Sequence, residues 1–198
     1  MLKRMSCVIA ALALAAACSS QKVPAQAAVS AADQAFAAVK VEAAKYVPDE
    51  AKDIQSSLDS AKAALAKGDY QAALTEAQAL PAKISALSSA IAAKKAELTQ
   101  TWTALSAGMP QVIEAIKSRV DILAKAKKLP AGMDAAKLES VKTGLASITQ
   151  AWGEATTAAS SGNVADAVAK ATAVKAKATE ALATLGMPVP AGLQTASK

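Results

Sequence analysis

The sequence predicts an all-α protein: an elongated antiparallel bundle of about six helices in two related three-helix halves. Three observations carry that expectation. Alanine, the best helix former, exceeds a quarter of the 198 residues, while Phe, Trp and Tyr together make up 3%. Apolar residues recur at alternating spacings of three and four along almost the whole chain, the signature of one buried helix face. Gly-Asp, Gly-Asn and Pro-containing steps break that pattern at intervals.

The first helix carries Val29, Ala32, Phe36, Val39, Ala43 and Tyr46 on one face and ends at Pro48. Asp49 is placed to cap the second, whose stripe is Ala51, Ile54, Leu58, Ala61 and Leu65. Gly68-Asp69 supplies a stop followed by a new cap. Tyr70, Ala77, Ile84, Ile91, Leu98 and Leu105 then recur every seven residues, with Leu80 and Leu87 between them, as in a coiled-coil seam. Pro81 inside that long helix predicts a kink. Gly108-Met109-Pro110 is expected to close the first half.

The second half repeats the grammar. Ile113, Ile116, Val120 and Leu123 form a fourth stripe ended by Leu129-Pro130. Asp134 caps a fifth helix carrying Leu138, Val141, Leu145, Ile148, Trp152, Ala155 and Ala159. It is expected to exceed the second helix by up to about three turns. Ser161-Gly162-Asn163 is a stop and cap, with Asn163 and Asp166 spaced as a capping-box-like pair. Val164, Val168, Ala171, Val174, Ala178, Leu182 and Leu185 mark the sixth helix, ended by Gly186-Met187-Pro188. Aligning Gly68 with Gly162 pairs Ala61 with Ala155, Leu74 with Val168 and Ala77 with Ala171, the pattern of an internal duplication. The expected organisation is therefore a leader at 1–17, a tether at 18–27, a helical domain at 28–186 with halves 28–107 and 110–186, and a tail at 187–198.

The amino terminus is an address. Met1-Leu-Lys-Arg-Met-Ser is basic, Cys7 to Ala17 is an apolar run, and Ala15-Ala16-Ala17-Cys18 follows it. The run is too short for a membrane span and has the form of a secretory signal. The cysteine after small residues resembles a bacterial lipoprotein signal. That resemblance implies that Cys18 becomes the first mature residue and carries the lipid (palmitate among its acyl chains). With Ser19 rather than Asp next, it implies the outer membrane, facing the periplasm. The other reading is an ordinary signal cut after Ala17 or near Ala27, releasing a soluble periplasmic protein. Ala63 to Leu74, with Gly68-Asp69-Tyr70 at its centre, resembles the turn of a tetratricopeptide (TPR) hairpin. With Tyr46-Val47-Pro48-Asp49-Glu50 upstream, it resembles bacterial lipoproteins carrying a TPR-like domain of unknown function. The likeness covers roughly residues 36 to 87 and implies a helical envelope protein without naming a chemistry. Lipid at one end and Lys198 at the other resembles, at those ends alone, the small lipoprotein linked covalently to peptidoglycan.

Composition narrows the chemistry. The chain has no histidine and two cysteines, Cys7 within the leader and Cys18 at its end. The residue types for Cys/His zinc sites, Ser-His-Asp triads and Cys-His pairs are therefore missing. No catalytic residue, metal ligand or cofactor site is assigned, and a non-catalytic role is expected. Asp49, Glu50 and Asp53 are the densest carboxylate cluster, read chiefly as helix N-terminal charge rather than as a hard-cation site. Taking Lys3 and Arg4 from the 22 basic residues leaves 20 against 16 acidic ones, a net of +4.

The stretch from Lys117 to Lys142 holds Lys117, Arg119, Lys125, Lys127, Lys128, Lys137 and Lys142 against Asp121, Asp134 and Glu139. It is either a solvated lysine face or a surface for anionic headgroups or an acidic partner. Trp152 lies on an apolar stripe, whereas Trp102, beside the seam, is a core residue or an anchor for a partner. Nucleic acid is not an expected partner, because compartment and the scarcity of stacking aromatics argue against it. The expected function is a structural or protein-interaction module held at the membrane by lipid, with an envelope protein as partner. The alternative is a periplasmic carrier or binder of a hydrophobic or lipid ligand.

Overall fold

A computed structural model describes residues 21–190, and all of its regular structure is helical. The leader, Cys18 and the tail with Lys198 lie outside the described residues. Five helices are present among the described residues rather than six: α1 (Lys22–Tyr46), α2 (Pro48–Lys67), α3 (Tyr70–Lys125), α4 (Ala135–Ser160) and α5 (Val164–Thr184). Contacts divide the chain into two compact units, Met1–Lys94 and Lys95–Lys198, so α3 contributes to both.

The missing break is at Gly108-Met109-Pro110, which lies inside the 56-residue α3. A proline in a helix interior removes one backbone donor, at a cost of about 3 kcal/mol or more. Burial outweighs that cost here. Leu105, Met109, Val112 and Ile116 continue the 4-3-4 spacing across the tripeptide and are all buried, Met109 and Ile116 completely. Pro110 and Pro81 are both exposed, so neither ring displaces a core side chain, and the helix runs through Pro81 as well. The same tripeptide at Gly186-Met187-Pro188 does end a helix. Gly186 adopts a left-handed φ of 65°, and no apolar spacing follows it.

Three helices end alike. Gly68 (φ 81°) donates to the Leu65 carbonyl while Asp69 donates to Ala64. Gly162 (φ 76°) donates to Ala159 while Asn163 donates to Ala158, and Gly186 and Met187 do the same to Ala183 and Leu182. Each is a Schellman ending, which satisfies carbonyls that the last turn would leave bare. Asp69 then caps α3, its Oδ1 accepting from the Ala72 N–H at 3.1 Å. Asp134 caps α4 in the same way, accepting from Lys137 N–H at 2.7 Å.

Three local expectations are corrected. Asp49 is not a cap, because α2 starts two residues earlier than that cap would set it, with Pro48 in the first position and Val47 before it. A fixed proline φ suits that position and no donor is lost there. Asn163 makes no cap to backbone; its side-chain amide donates to Asp166 instead. Residues 22–27, expected to belong to the tether, are helical instead, since α1 begins at Lys22 and Ala25 is completely buried. Helix α4, at 26 residues, exceeds α2, at 20, by less than two turns, within the expected limit, and residues after Pro130 form a connection. Gly132 turns that connection at φ 84°.

In the first unit α1 and α2 pack with the early part of α3. Ala25, Val29, Ala61, Ala73 and Ala77 form one buried cluster, and Phe36, Ile54, Leu58, Leu80, Ile84, Leu87 and Ile91 extend the core. Val39, expected on the buried stripe of α1, is half-buried. In the second unit Met109, Val112, Ile116, Val120 and Leu123 of α3 meet Val141 and Ile148 of α4 and Val174, Ala178 and Leu182 of α5. No charged or polar residue is buried among the described ones, so each core is held by apolar contact alone.

Two glycines of contrasting geometry give a test. Gly108 is helical, and a methyl group added there would meet nothing within 4 Å, so Gly108→Ala is expected to stabilise by about 0.5–1 kcal/mol. Gly162→Ala forces a side chain into the left-handed region and is expected to cost about 1–2 kcal/mol. Urea unfolding of both variants checks the opposite signs.

Candidate functional site

The basic stretch spans the last turns of α3, the connection and the start of α4. Lys125, Lys127 and Lys128 are exposed there. Lys117 stands 3.9 Å from Glu114 and Lys142 stands 3.6 Å from Glu139, both exposed pairs within one helix. Such pairs contribute little. Arg119 differs from the lysines. It falls seven residues after Val112, on the buried seam, and is half-buried. Its Nε is buried without a hydrogen-bond partner. The apolar register sidesteps it, passing from Ile116 to Val120.

Trp102 is half-buried and stacks on Trp152, with ring centroids 5.5 Å apart and planes 18° apart. The pair packs on Leu105, Ala155 and Ala171. That offset arrangement is a favoured one for aromatic rings.

Asp49, Glu50 and Asp53 stay exposed along the first turns of α2. No group of three or more Asp, Glu, Cys or His side chains converges on a metal position among the described residues. Asp49 and Glu50 fall in the first turn of α2, where negative charge complements the helix dipole.

Charged contacts between helices sit on the rims. Lys62 of α2 binds Asp33 of α1 at 2.8 Å, and Lys170 of α5 binds Glu154 of α4 at 2.6 Å. The hydrogen bond from Lys170, and then its charge, hold the Glu154 carboxyl below the ordinary glutamate value, with the Gln150 amide adding to the effect. Hydroxyl contacts lie further along: Lys83 of α3 donates to Ser57 of α2 at 3.0 Å, and Lys177 of α5 donates to Ser147 of α4 at 3.3 Å.

One concavity has no counterpart among the sequence expectations. It is a groove of about 480 Å³ between α4 and α5. Val141, Ile148 and Ala181 line it with buried apolar side chains. Ser140, Ser147 and Thr184 supply hydroxyls, and Lys137, Lys177 and Glu180 supply charge. Gly144 lies in its wall, in mid-helix, where an added Cβ would meet nothing within 4 Å. A glycine inside a helix was the available signal, since it costs about 1 kcal/mol against alanine and needs a local reason. A smaller polar groove in the first unit runs past Ser57, Ser60, Thr75, Glu76 and Lys83.

No protein-family model, no curated protein and no solved structure matches this chain.

Two outcomes follow from these contacts. Glu154 is expected to titrate below the ordinary carboxylate range and to return towards it in Lys170→Gln, followed by NMR of the side-chain carboxyl. Because the folded value is depressed, the contribution of this group to stability is present above the ordinary value of 4.5 and fades as pH falls through the folded value. Arg119→Met removes a buried unpaired donor while keeping the stem, and urea unfolding is expected to show stability unchanged or raised by about 1 kcal/mol.

Proposed function

We propose that this chain is a non-catalytic, membrane-anchored envelope lipoprotein that works as a structural or protein-interaction module. The single observation that carries the reading is Cys18, set directly after an apolar run and Ala15-Ala16-Ala17 behind a basic start. Two acyl chains or more would hold it firmly, since each buried methylene contributes about 0.8 kcal/mol and a single chain holds only marginally. No helix among the described residues is long and apolar enough to cross a membrane, so any attachment of that part would come from outside it. Facing the periplasm from the outer membrane, such a protein would meet envelope partners through its helix surfaces. The exposed Lys125, Lys127 and Lys128 are the first contact residues to examine, with the Trp102 edge beside the seam second. A covalent link from Lys198 to peptidoglycan is a lesser form of the same role.

The two units also read as related halves, the first of them carrying the TPR-like hairpin. Support comes from burial. Ala73, Ala77, Leu80, Ile84, Leu87 and Ile91 are buried, and so are Ala167, Ala171, Val174, Ala178, Ala181 and Leu185, which stand at the same distances from Gly68 and Gly162. Ile54 and Ala61 correspond likewise to Ile148 and Ala155.

A second reading, a binder of a hydrophobic or lipid ligand, is favoured by one observation, the α4–α5 groove.

Intact-mass analysis of the protein from membrane fractions tests the main reading. A diacyl or triacyl mass on a chain beginning at Cys18 is expected, and Cys18→Ser should abolish it. An unlipidated chain beginning near Ala28 in the wild type would refute the anchor.

A further inference from the structure

The α4–α5 groove is built unlike its counterpart in the first unit. Counting from Gly162 and Gly68, Gly144 stands where the first unit has Glu50, and Ser147 stands where it has Asp53. The floor corresponds: Val141 to Val47 and Ile148 to Ile54, all buried. Lys177 corresponds to Lys83. The α4 wall therefore presents a bare backbone and a hydroxyl at positions where α2 carries two carboxylates. Lys137 adds a second cation at the α4 end.

We propose that this groove binds a single-chain amphiphile with a monoanionic head, of the alkyl carboxylate kind. Its volume falls in the range usual for small-molecule sites. The ammonium of Lys177 uses one donor on Ser147, and that of Lys137 uses one on the Gly132 carbonyl. Each ammonium has three donors, so both keep capacity for an oxyanion. With Glu180 included, the wall carries a net single positive charge, matched to one negative head. The alkyl part lies along the groove floor formed by Val141, Ile148 and Ala181 and against the methylene stems of Lys137 and Lys177. The open volume at Gly144 is where the chain passes α4. This site deepens the ligand-binding reading above and stands independently of lipid on Cys18.

The test uses the full chain carrying Cys18→Ser, titrated with decanoate, acetate and decyltrimethylammonium below their aggregation limits. Binding is read by calorimetry and by amide shifts at Ser140, Gly144 and Ser147. Decanoate is expected to bind saturably, at least about tenfold more tightly than either of the other two. Gly144→Leu, which fills the groove with a better helix former, is expected to weaken decanoate by at least about tenfold while leaving the thermal unfolding midpoint unchanged or raised. Lys137→Gln with Lys177→Gln should do the same. The proposal is overturned if decanoate does not bind, if Gly144→Leu binds it as well as the parent does, or if the cationic amphiphile binds equally. Equal binding of acetate would overturn the amphiphile assignment in favour of a simple anion. None of these outcomes bears on whether Cys18 is acylated.

Discussion

The apolar register of α3 is the constraint on which both units depend. From Ala73 to Leu123 one side of this helix stays buried through the alternation of threes and fours, apart from the half-buried stretch around Leu98. Each residue turns the helix by about 100°. A single inserted residue within either buried stretch would therefore turn the seam positions on its two sides about 100° apart and break that unit's core. That phase requirement explains why α3 continues where local signals favour a stop. Gly108 and Pro110 weaken the helix locally, but breaking it there would expose Met109 and detach Val112 and Ile116 from their contacts.

Around that seam the architecture relies on small side chains and well-made ends. Alanines at Ala25, Ala61, Ala73 and Ala77 in one unit, and at Ala155, Ala167, Ala171 and Ala178 in the other, are buried almost completely. They let helices approach closely, and they lose no side-chain entropy in doing so. The cost is modest apolar area per residue. Paired helix ends matter more in such a protein, and left-handed glycines supply them after α2, α4 and α5. Ionic contacts lie on exposed rims, where solvent screens them.

Much of this was legible in the sequence because helical phase is written in the apolar residues themselves. The stripes of α2 and α5 match their buried faces closely, and Gly68-Asp69 and Asp134 act as stop and cap. Two kinds of feature were not legible. A Gly-Met-Pro tripeptide has no fixed meaning: at 108–110 the seam overrides it, and at 186–188 nothing does. A groove depends on which residues two helices leave facing each other, and Ser140, Gly144 and Ser147 lie beside the apolar stripe of α4 rather than on it. Only the glycine stood out as a residue that a helix would not choose unaided. The cap expected at Asp49 lies two positions earlier, at Val47, because proline is itself a good first residue. The buried unpaired nitrogen of Arg119 had no sequence signal beyond its seven-residue distance from Val112.

The placement of the aromatic residues gives each unit its own spectroscopic identity. Both tryptophans belong to the second unit and lie stacked on each other, whereas both tyrosines and the single phenylalanine belong to the first. Indole emission therefore watches one half of the molecule and is blind to loosening of the other. Far-ultraviolet ellipticity records helix from both. Coincidence of the two signals during unfolding would mean that the long shared helix makes the units cooperate, while separation of the signals would let each unit's stability be read without cutting the chain.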